Sequence, residues 1–346
     1  MRRLVELARQ AVALNADGAD VIDLGCDPSS PWPQIGEGVK VLRELGLRVS
    51  VDSFDCKEVA DAAKCGAELV LSVNRSNREA AADWGVEVVV VPDDLDRFTE
   101  TLAETLGFLE EKQVPYRIDP ILEPIGCGFA ESLARYRRVR QDYPDKKILM
   151  GIGNVTELTD VDSAGVNTLL LGYCQELGIQ SVLTTQVISW GRSSVRECDI
   201  ARRLVHYSIE KKIPPKRLEE RLVMLRDPRV RIYSKEHIAS LVQSVRDNNY
   251  RILTLGEEIH LIASNVHVVG TDPFEMMEEL LGKPESENVD ASHAFYLGFE
   301  FAKAQIAVQL GKNYEQDQAL QWGHLTRDEP VHRLAKRQRK RPGASE

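Results

Sequence analysis

The stretch Gly18–Pro31, GADVIDLGCDPSSP, contains the pattern that decides the fold. A short run of mostly apolar and small residues leads to an acid, Asp23, and the chain then enters a loop of glycine, cysteine, serine and proline. Such a run is typical of a strand buried on both faces, as in a parallel sheet. The acid near its end indicates a carboxylate held at the tip of a buried strand.

The same pattern recurs six more times before about residue 208, with amphipathic helical stretches in between. Strands that alternate with helices pair in parallel through right-handed crossovers. The predicted strands are 19–25, 48–53, 68–73, 86–92, 116–121, 146–152 and 181–186.

A helical pattern over 3–16 comes before all seven runs, with no strand ahead of it. A (β/α)8 barrel needs eight strands to close. We therefore expect a TIM-type (β/α)8 barrel that lacks its first strand, with Met1 inside the parent module. An incorrect start, or an upstream piece on another polypeptide, would explain this. An open doubly wound sheet is the alternative.

The character of the sequence changes after residue 212, which predicts a smaller α+β C-terminal domain. We expect the barrel domain over 1–212, the second domain over 213–330 and a basic disordered tail over 331–346. Within the second domain we expect a linker with a short helix, a helix, a strand pair turning near Gly256, a helix capped by Asp272 and a helix whose apolar stripe faces the core. These elements are predicted at 213–222, 236–247, 249–270, 272–282 and 291–311, and the stripe is Phe299, Ala302, Ile306 and Leu310.

Composition excludes several classes of protein. The 346 residues include 43% apolar residues, enough for a large core, and carry a net charge of −10. An acidic body argues against a nucleic-acid surface. No window resembles a membrane span or a signal peptide, so we expect a cytoplasmic protein. The six cysteines form no CxxC pair, which favours reduced thiols over disulfides or a structural zinc site.

Ligands of a (β/α)8 barrel bind where the strands end, so polar residues at those positions are the candidates. No histidine precedes residue 206 and no lysine lies at a strand tip, which argues against metal-dependent amidohydrolase and Schiff-base chemistry. Three aspartates remain, and a carboxylate is a natural partner for a flat ring with adjacent N–H donors, such as a pterin. The candidates are Asp23, Asp27, Asp52, Ser53, Ser72, Asn74, Asp119, Asn154 and Thr184–Gln186.

The span from about 18 to 210 resembles the pterin-binding barrels, which are dihydropteroate synthase and the methyltetrahydrofolate:corrinoid methyltransferases. The matching segments are Gly18–Gly25, Val49–Ser53, Gly66–Glu68, Ile118–Pro120, Gly126–Phe129 and Gly151–Val155. The resemblance implies that Asp52 and Asp119 bind the pterin ring and that Asp23 lies beside the diphosphate end of a substrate. It also implies that Asn154 reaches the N5 edge of a methylated pterin, and Asn74 lies near the family's fourth-strand asparagine.

Several elements of the synthase are absent from this sequence. The arginine of the loop after its second strand and the substrate-binding lysine near strand seven have no counterpart here. Arg192 and Arg196 are the candidate replacements that would hold a diphosphate leaving group, with Mg²⁺ as a potential companion. The cobalamin motif of the methyltransferases is also missing, so a corrinoid would belong to a partner.

The whole chain most resembles the long dihydropteroate synthase-like proteins of organisms that use tetrahydromethanopterin. His293–Gly298, Ala302–Ala304 and Tyr314–Asp317 carry the signature of their C-terminal domain. Its function could be a second ligand or partner site, or helix packing alone. We expect either a homodimer or an upstream polypeptide that supplies the missing strand, because open strand edges invite pairing.

Three functions fit these features. The first is a transferase that joins a pterin to an arylamine in folate or tetrahydromethanopterin biosynthesis, part of one-carbon metabolism. The second is a methyl-tetrahydropterin methyltransferase subunit that acts with a corrinoid protein. The third is a pterin-binding module without chemistry.

Overall fold

The computed structural model describes residues 2–26, 32–231 and 233–329, with side chains from Leu4 onward. The chain forms two compact units, Met1–Glu219 and Glu220–Glu346, each described by itself below. Asp27 and the other residues of the loop 27–31 lie outside the described residues, as does the predicted basic tail over 331–346.

The described residues of the first unit form seven parallel strands, which confirms the prediction of a parallel α/β fold. Strands β1 to β5 form one sheet in chain order, and β6 pairs with β7. A single parallel bridge between Ile118 and Ile148 links β5 to the segment before β6. The strands are β1 Ile22–Gly25, β2 Val49–Asp52, β3 Leu69–Val73, β4 Glu87–Val90, β5 Tyr116–Ile118, β6 Leu149–Gly151 and β7 Ser181–Leu183.

Helices follow the strands because the connecting segments place apolar residues at helical spacing. They are α1 Arg2–Ala16, α2 Ile35–Glu44, α3 Cys56–Lys64, α4 Arg78–Ala81, α5 Phe98–Glu111, α6 Phe129–Asp142, α7 Gly153–Thr156, α8 Ser163–Glu176 and α9 Ser194–Lys211. The first helices cover one face of the sheet, where Ile22 and Val49 pack with Ile35, Val39 and Leu42. No helix within the described ranges has both the length and the apolar character needed to cross a membrane.

Alternate residues of each strand face the other side of the sheet. A second apolar cluster forms there from Leu69, Leu71, Val89 and Leu149. Asp23, Ser50 and Asp52 alternate with the helix-facing residues Ile22, Val49 and Val51, and therefore lie on the face opposite the helices. The strands thus carry an apolar layer and, toward their carboxyl ends, polar side chains.

Between β1 and β7 the described residues form no strand pairing, and a cavity of about 1780 Å³ lies there. It reaches from Arg48 and Arg117 to Thr184 and Thr185, and Asp23 is among the residues that line it. In a closed (β/α)8 barrel this interior is filled by side chains from all eight strands. A barrel that lacks its first strand therefore stays a prediction, consistent with this open edge.

The second unit is built on an antiparallel sheet with the strand order β10-β9-β8. Its elements are α10 Lys235–Ser244, β8 Arg251–Leu255, β9 Glu258–Ala263, β10 Val266–Gly270, α11 Pro273–Leu281 and α12 Ala291–Leu310. The predicted strand pair was incomplete, because Asn265, at a φ of 58°, turns the chain into a third strand. The short helix predicted within 213–222 was wrong, since this proline-containing segment forms no helix.

The apolar stripe predicted for α12 was also wrong. Phe299 is 49% exposed and Ile306 is 37% exposed, whereas Leu297, Phe301 and Ala304 are buried. The helix is apolar on nearly every side, so helical periodicity alone is compatible with more than one buried face. Packing against β8 and β9 selects the face that carries Phe301.

Candidate functional site

Three aspartates approach one another at the carboxyl ends of the strands. Asp23 lies on β1, Asp52 ends β2 and Asp119 follows β5 directly. The negative charge of Asp52 raises the pKa of both Asp23 and Asp119. Asp23 is in register with Ser50, two residues before Asp52, and Asp119 lies at the same carboxyl edge of the sheet, so the structure places the three predicted acids at one edge.

Each aspartate interacts with a hydroxyl group of another residue. The Ser50 hydroxyl donates to Oδ1 of Asp23 at 2.7 Å, and the Tyr136 hydroxyl donates to Oδ1 of Asp119 at 2.5 Å. The Ser72 hydroxyl bonds to Asp52 and opposes the rise of its pKa. Such bonds fix the orientation of a carboxylate and favour its charged form.

The hydrogen bonds of Asp119 are unevenly distributed between its two carboxylate oxygens. The backbone N–H of Ile121 also donates to Oδ1, at 2.8 Å, so both bonds within the described part of the chain reach the same atom. The other carboxylate oxygen, Oδ2, lies 3.8 Å from the position that a Cβ atom would occupy if Gly151 carried a side chain. Gly151 and the side chain of Asn154 therefore lie next to this oxygen.

Burial sets the ionisation of this group of acids. It raises the pKa of Asp23 to about 6 and that of Asp119 to about 6, despite the opposing hydroxyl bonds. It also raises the pKa of Asp52. At pH 7.5 Asp23 and Asp119 are mostly ionised and incompletely solvated, so each gains from a ligand that donates N–H groups.

The two predicted asparagines occupy different environments. A Cβ atom added to Gly151 would lie 3.6 Å from Nδ2 of Asn154 and 3.8 Å from Oδ2 of Asp119, so these two side chains are neighbours. The Nδ2 atom of Asn154 donates to the carbonyl of Leu122 at 2.9 Å. The Oδ1 atom of Asn74 accepts bonds from the backbone N–H and the hydroxyl of Ser76, at 2.9 and 2.7 Å. Asn74 therefore shapes the turn before α4.

The two predicted arginines are not both available to a ligand. Arg192 is exposed in the loop before α9. Nη1 of Arg196 lies 3.7 Å from Oδ2 of Asp199, a buried carboxylate that also pairs with Arg202 and Arg203 at 2.8 Å each. The charge of Arg196 is therefore partly compensated within α9.

Sequence reasoning missed two groups beside the aspartates. Tyr136 is fully buried on α6, where no motif marks it. Glu58 is buried on α3 and accepts bonds from the backbone N–H of Trp32 and, at 2.7 Å, from the Ser53 hydroxyl. Burial, together with Glu58, raises the pKa of the Cys26 thiol to about 12, which keeps it protonated. In the described ranges no three histidine, cysteine or acidic side chains are placed to hold a metal ion.

The signature in the second unit forms a hydrogen-bond network. Nε2 of Gln316 donates to the Tyr250 carbonyl at 3.0 Å and to the Tyr296 hydroxyl at 2.8 Å, while its Oε1 accepts from the N–H of Ile252 at 2.8 Å. The Tyr296 hydroxyl donates to Asp317 at 2.8 Å. These bonds join α12, β8 and the C-terminal segment.

Comparison with known proteins gives a family match for part of the chain and a relative over most of it. The family model PterinBD-DUF4346 matches residues 231–317. The uncharacterized protein MJ0107 of Methanocaldococcus jannaschii is 30% identical over 351 residues, which cover 90% of this chain and 66% of that relative. The chain therefore spans a little under two thirds of the length of this curated relative.

Solved structures of dihydropteroate synthase are similar to part of this chain at low identity. The Thermus thermophilus enzyme in complex with 4-aminobenzoate is 20% identical, with a TM-score of 0.46 over 58% of this chain and 88% of that one. The Yersinia pestis enzyme with a pterine-sulfa conjugate is 18% identical, with a TM-score of 0.48 over 60% and 89%.

The family model confirms the resemblance to pterin-binding, dihydropteroate synthase-like proteins. The segment that this model matches lies within the second unit.

Proposed function

We propose that this protein binds a pterin with Asp52 and Asp119 and serves one-carbon cofactor metabolism. The proposal depends on one observation: Asp23, Asp52 and Asp119 lie at the carboxyl ends of β1, β2 and β5 of one sheet, and both hydrogen bonds of Asp119 within the described residues go to Oδ1 and not to Oδ2. The 2-amino group and the neighbouring ring N–H of a pterin form two parallel donors. One ionised carboxylate accepts both, which fixes orientation as well as affinity.

The choice of reaction depends on the arginines. A transferase that joins the pterin to an arylamine would expel diphosphate, whose charge needs cations nearby. The pairing of Arg196 with Asp199 leaves the exposed Arg192 as the other candidate. This arrangement gives weak support to the arylamine transferase, with or without Mg²⁺.

The position of Asn154 supports the second candidate, a methyltransferase subunit that acts with a corrinoid protein. The Asn154 amide lies beside Asp119, where it could reach the neighbouring edge of a pterin held by that carboxylate. A methylated tetrahydropterin would then lose its methyl group only when a corrinoid partner is added. Binding without turnover, with or without that partner, would instead select a module that carries a pterin.

Calorimetric titration of the full chain with a panel of pterins tests the binding site itself. We expect the Asp119→Asn and Asp52→Asn variants to bind at least about tenfold more weakly, because one charge-assisted pair of bonds contributes roughly 1.5–3 kcal/mol. The Asp145→Asn variant changes an exposed carboxylate in the turn after α6 and should bind normally. Equal binding by all four proteins would overturn the proposal.

We also propose that an eighth strand completes the barrel in the assembled protein. The cavity between β1 and β7 places two strand edges on either side of an apolar interior that includes Leu69 and Leu183. Unpaired edges and an unfilled core both favour an added strand. A second copy of the chain or an upstream polypeptide segment would supply it.

A further inference from the structure

Helix α12 buries its charges and exposes apolar side chains. From Phe295 to its end at Leu310 it contains two ionised residues, Glu300 and Lys303, which are 2% and 5% exposed and form a salt bridge of 2.9 Å. Lys303 also donates to the carboxylate of Glu329 at 2.7 Å, so its charge is compensated inside the second unit. A helix on the surface of a monomeric protein normally has the opposite arrangement, with its charged residues toward the solvent.

The solvent-exposed face of α12 is continuous and uncharged. At the α-helical spacing its members fall within one arc of about 100° around the helix. Phe295 is 68% exposed, Phe299 is 49% exposed and Ile306 is 37% exposed. We call this surface the outer face of α12, and it consists of Phe295, Gly298, Phe299, Ala302, Ile306 and Gln309. A contiguous apolar face of this kind marks a surface for contact with another molecule.

The outer face is complementary to itself in an antiparallel arrangement. When two copies of α12 run antiparallel and meet at the level between residues 300 and 301, Phe299 of one copy lies opposite Ala302 of the other. In the same register Phe295 lies opposite Ile306. Each phenylalanine therefore meets a smaller side chain, as close packing of two helices requires. A two-fold axis repeats both contacts, because it places the same surface on the two sides of an interface.

Charge and area also favour a second copy as the occupant of the outer face. A face without charges forms no salt bridge with a charged partner, whereas two copies of it meet without like-charge repulsion. The carbonyl of Thr271 accepts from Nε2 of Gln305 at 3.3 Å, so the start of α11 lies near this face, and there Phe274 is 87% exposed. With Phe295 and Phe299, the exposed rings of two copies present roughly 600–1,000 Å². This area lies at the lower end of specific interfaces.

We propose that the outer face of α12 is an interface between two copies of this chain, in which the two helices pair antiparallel about a two-fold axis. This inference goes beyond the proposed function, because it concerns the second unit and does not depend on pterin binding. The modest area makes the dimer reversible, with a dissociation constant on the order of 10–100 µM.

Sedimentation equilibrium of the full chain tests the interface in a Val187→Lys background, which disrupts the edge between β1 and β7. We expect this chain to dimerise, and Ala302→Glu to raise the dissociation constant at least about tenfold, because two carboxylates would be desolvated between the helices. The matched control Ala103→Glu makes the same change at an exposed alanine of α5 and should leave dimerisation unchanged. A monomer at every concentration, or a dimer insensitive to Ala302→Glu, would overturn the proposal. A lower unfolding temperature with an unchanged mass would do the same, because it would show that the chain itself covers this face.

An exchange of large and small residues tests the antiparallel register. Phe299→Ala removes the large side chain and Ala302→Phe fills the space opposite it, so each change should weaken the dimer several-fold. The double variant Phe299→Ala/Ala302→Phe again places one large residue opposite one small residue. We expect its dissociation constant to return close to that of the parent chain, because residues in contact have non-additive effects. Additive weakening in the double variant, with helix content unchanged by circular dichroism, would refute the antiparallel pairing.

Discussion

The hydroxyl of Tyr136 donates a 2.5 Å hydrogen bond to Oδ1 of Asp119, although seventeen residues separate them in the sequence. Tyr136 is fully buried on α6, the helix that follows the loop containing Asp119. This bond favours the ionised carboxylate, whereas burial favours the protonated one. The competition between the two effects sets the pH range in which Asp119 can accept N–H donors from a ligand.

Removing the Tyr136 hydroxyl should shift this range. In the Tyr136→Phe variant the pKa of Asp119 rises further, because the bond that lowers it is lost. We expect the gain in pterin affinity that accompanies ionisation to occur at higher pH than in the wild type, as measured by titrations between pH 5 and 8.5. Tyr143→Phe, on a partly buried tyrosine at the end of the same helix, is the control. Identical pH profiles would contradict a positioning role for Tyr136.

Neutralising Asp119 should stabilise the fold at neutral pH. A carboxyl whose folded pKa is raised contributes stability below its unfolded pKa, and that contribution is lost as pH rises through the folded value. For Asp119 the window extends from 3.8 to about 6. Asparagine does not ionise, so the Asp119→Asn variant does not lose this contribution. The difference in unfolding free energy, variant minus wild type, should therefore rise by roughly 1–3 kcal/mol as the pH increases through this window.

Urea denaturation at pH 4.5, 6 and 7.5 measures the effect. The variant should gain stability relative to wild type between the first and last pH while losing pterin affinity. A stability difference that stays constant with pH would show that burial does not raise the pKa of Asp119.

The open edge between β1 and β7 should promote association. Val187 is 76% exposed and lines the cavity there. We expect light scattering to give a mass above that of the monomer at micromolar concentration, and the Val187→Lys variant to shift it toward the monomer. Leu158→Lys, at a 67% exposed residue that does not line this cavity, should have no such effect. A monomeric mass at every concentration, with fast amide exchange in β1 and β7, would contradict closure by a second copy.

The signature of the second unit should matter for stability. Gln316 makes three hydrogen bonds to Tyr250, Ile252 and Tyr296, so Gln316→Leu leaves the Tyr250 carbonyl and the Ile252 N–H without this partner. We expect a loss of roughly 2–4 kcal/mol in unfolding free energy, against less than about 0.5 kcal/mol for the exposed Gln309→Leu on α12. Thermal or urea unfolding checks this. A near-neutral Gln316→Leu variant with reduced binding of a ligand or partner would identify the signature as a binding site.

Local sequence patterns predicted most of the strands and helices of the first unit. The apolar runs that end in polar residues predicted all seven strands, because a strand buried on both faces needs consecutive apolar side chains. Asp23, Asp52 and Asp119 followed from the same rule, since parallel strands bring their carboxyl ends to one edge. Helical periodicity was less decisive for α12, where the sequence permits several apolar faces.

In the first unit the sequence by itself determined the order of the strands and the acidic residues at strand ends, because these depend on residues close together in the chain. Tertiary structure decided which atoms meet. It brought the Tyr136 hydroxyl into a hydrogen bond with Asp119, Asp199 into an ion pair with Arg196, and the N–H of Gly36 into a hydrogen bond with Asp61. Of these, the first and third join separate elements of the fold, so they depend on packing that no local pattern records.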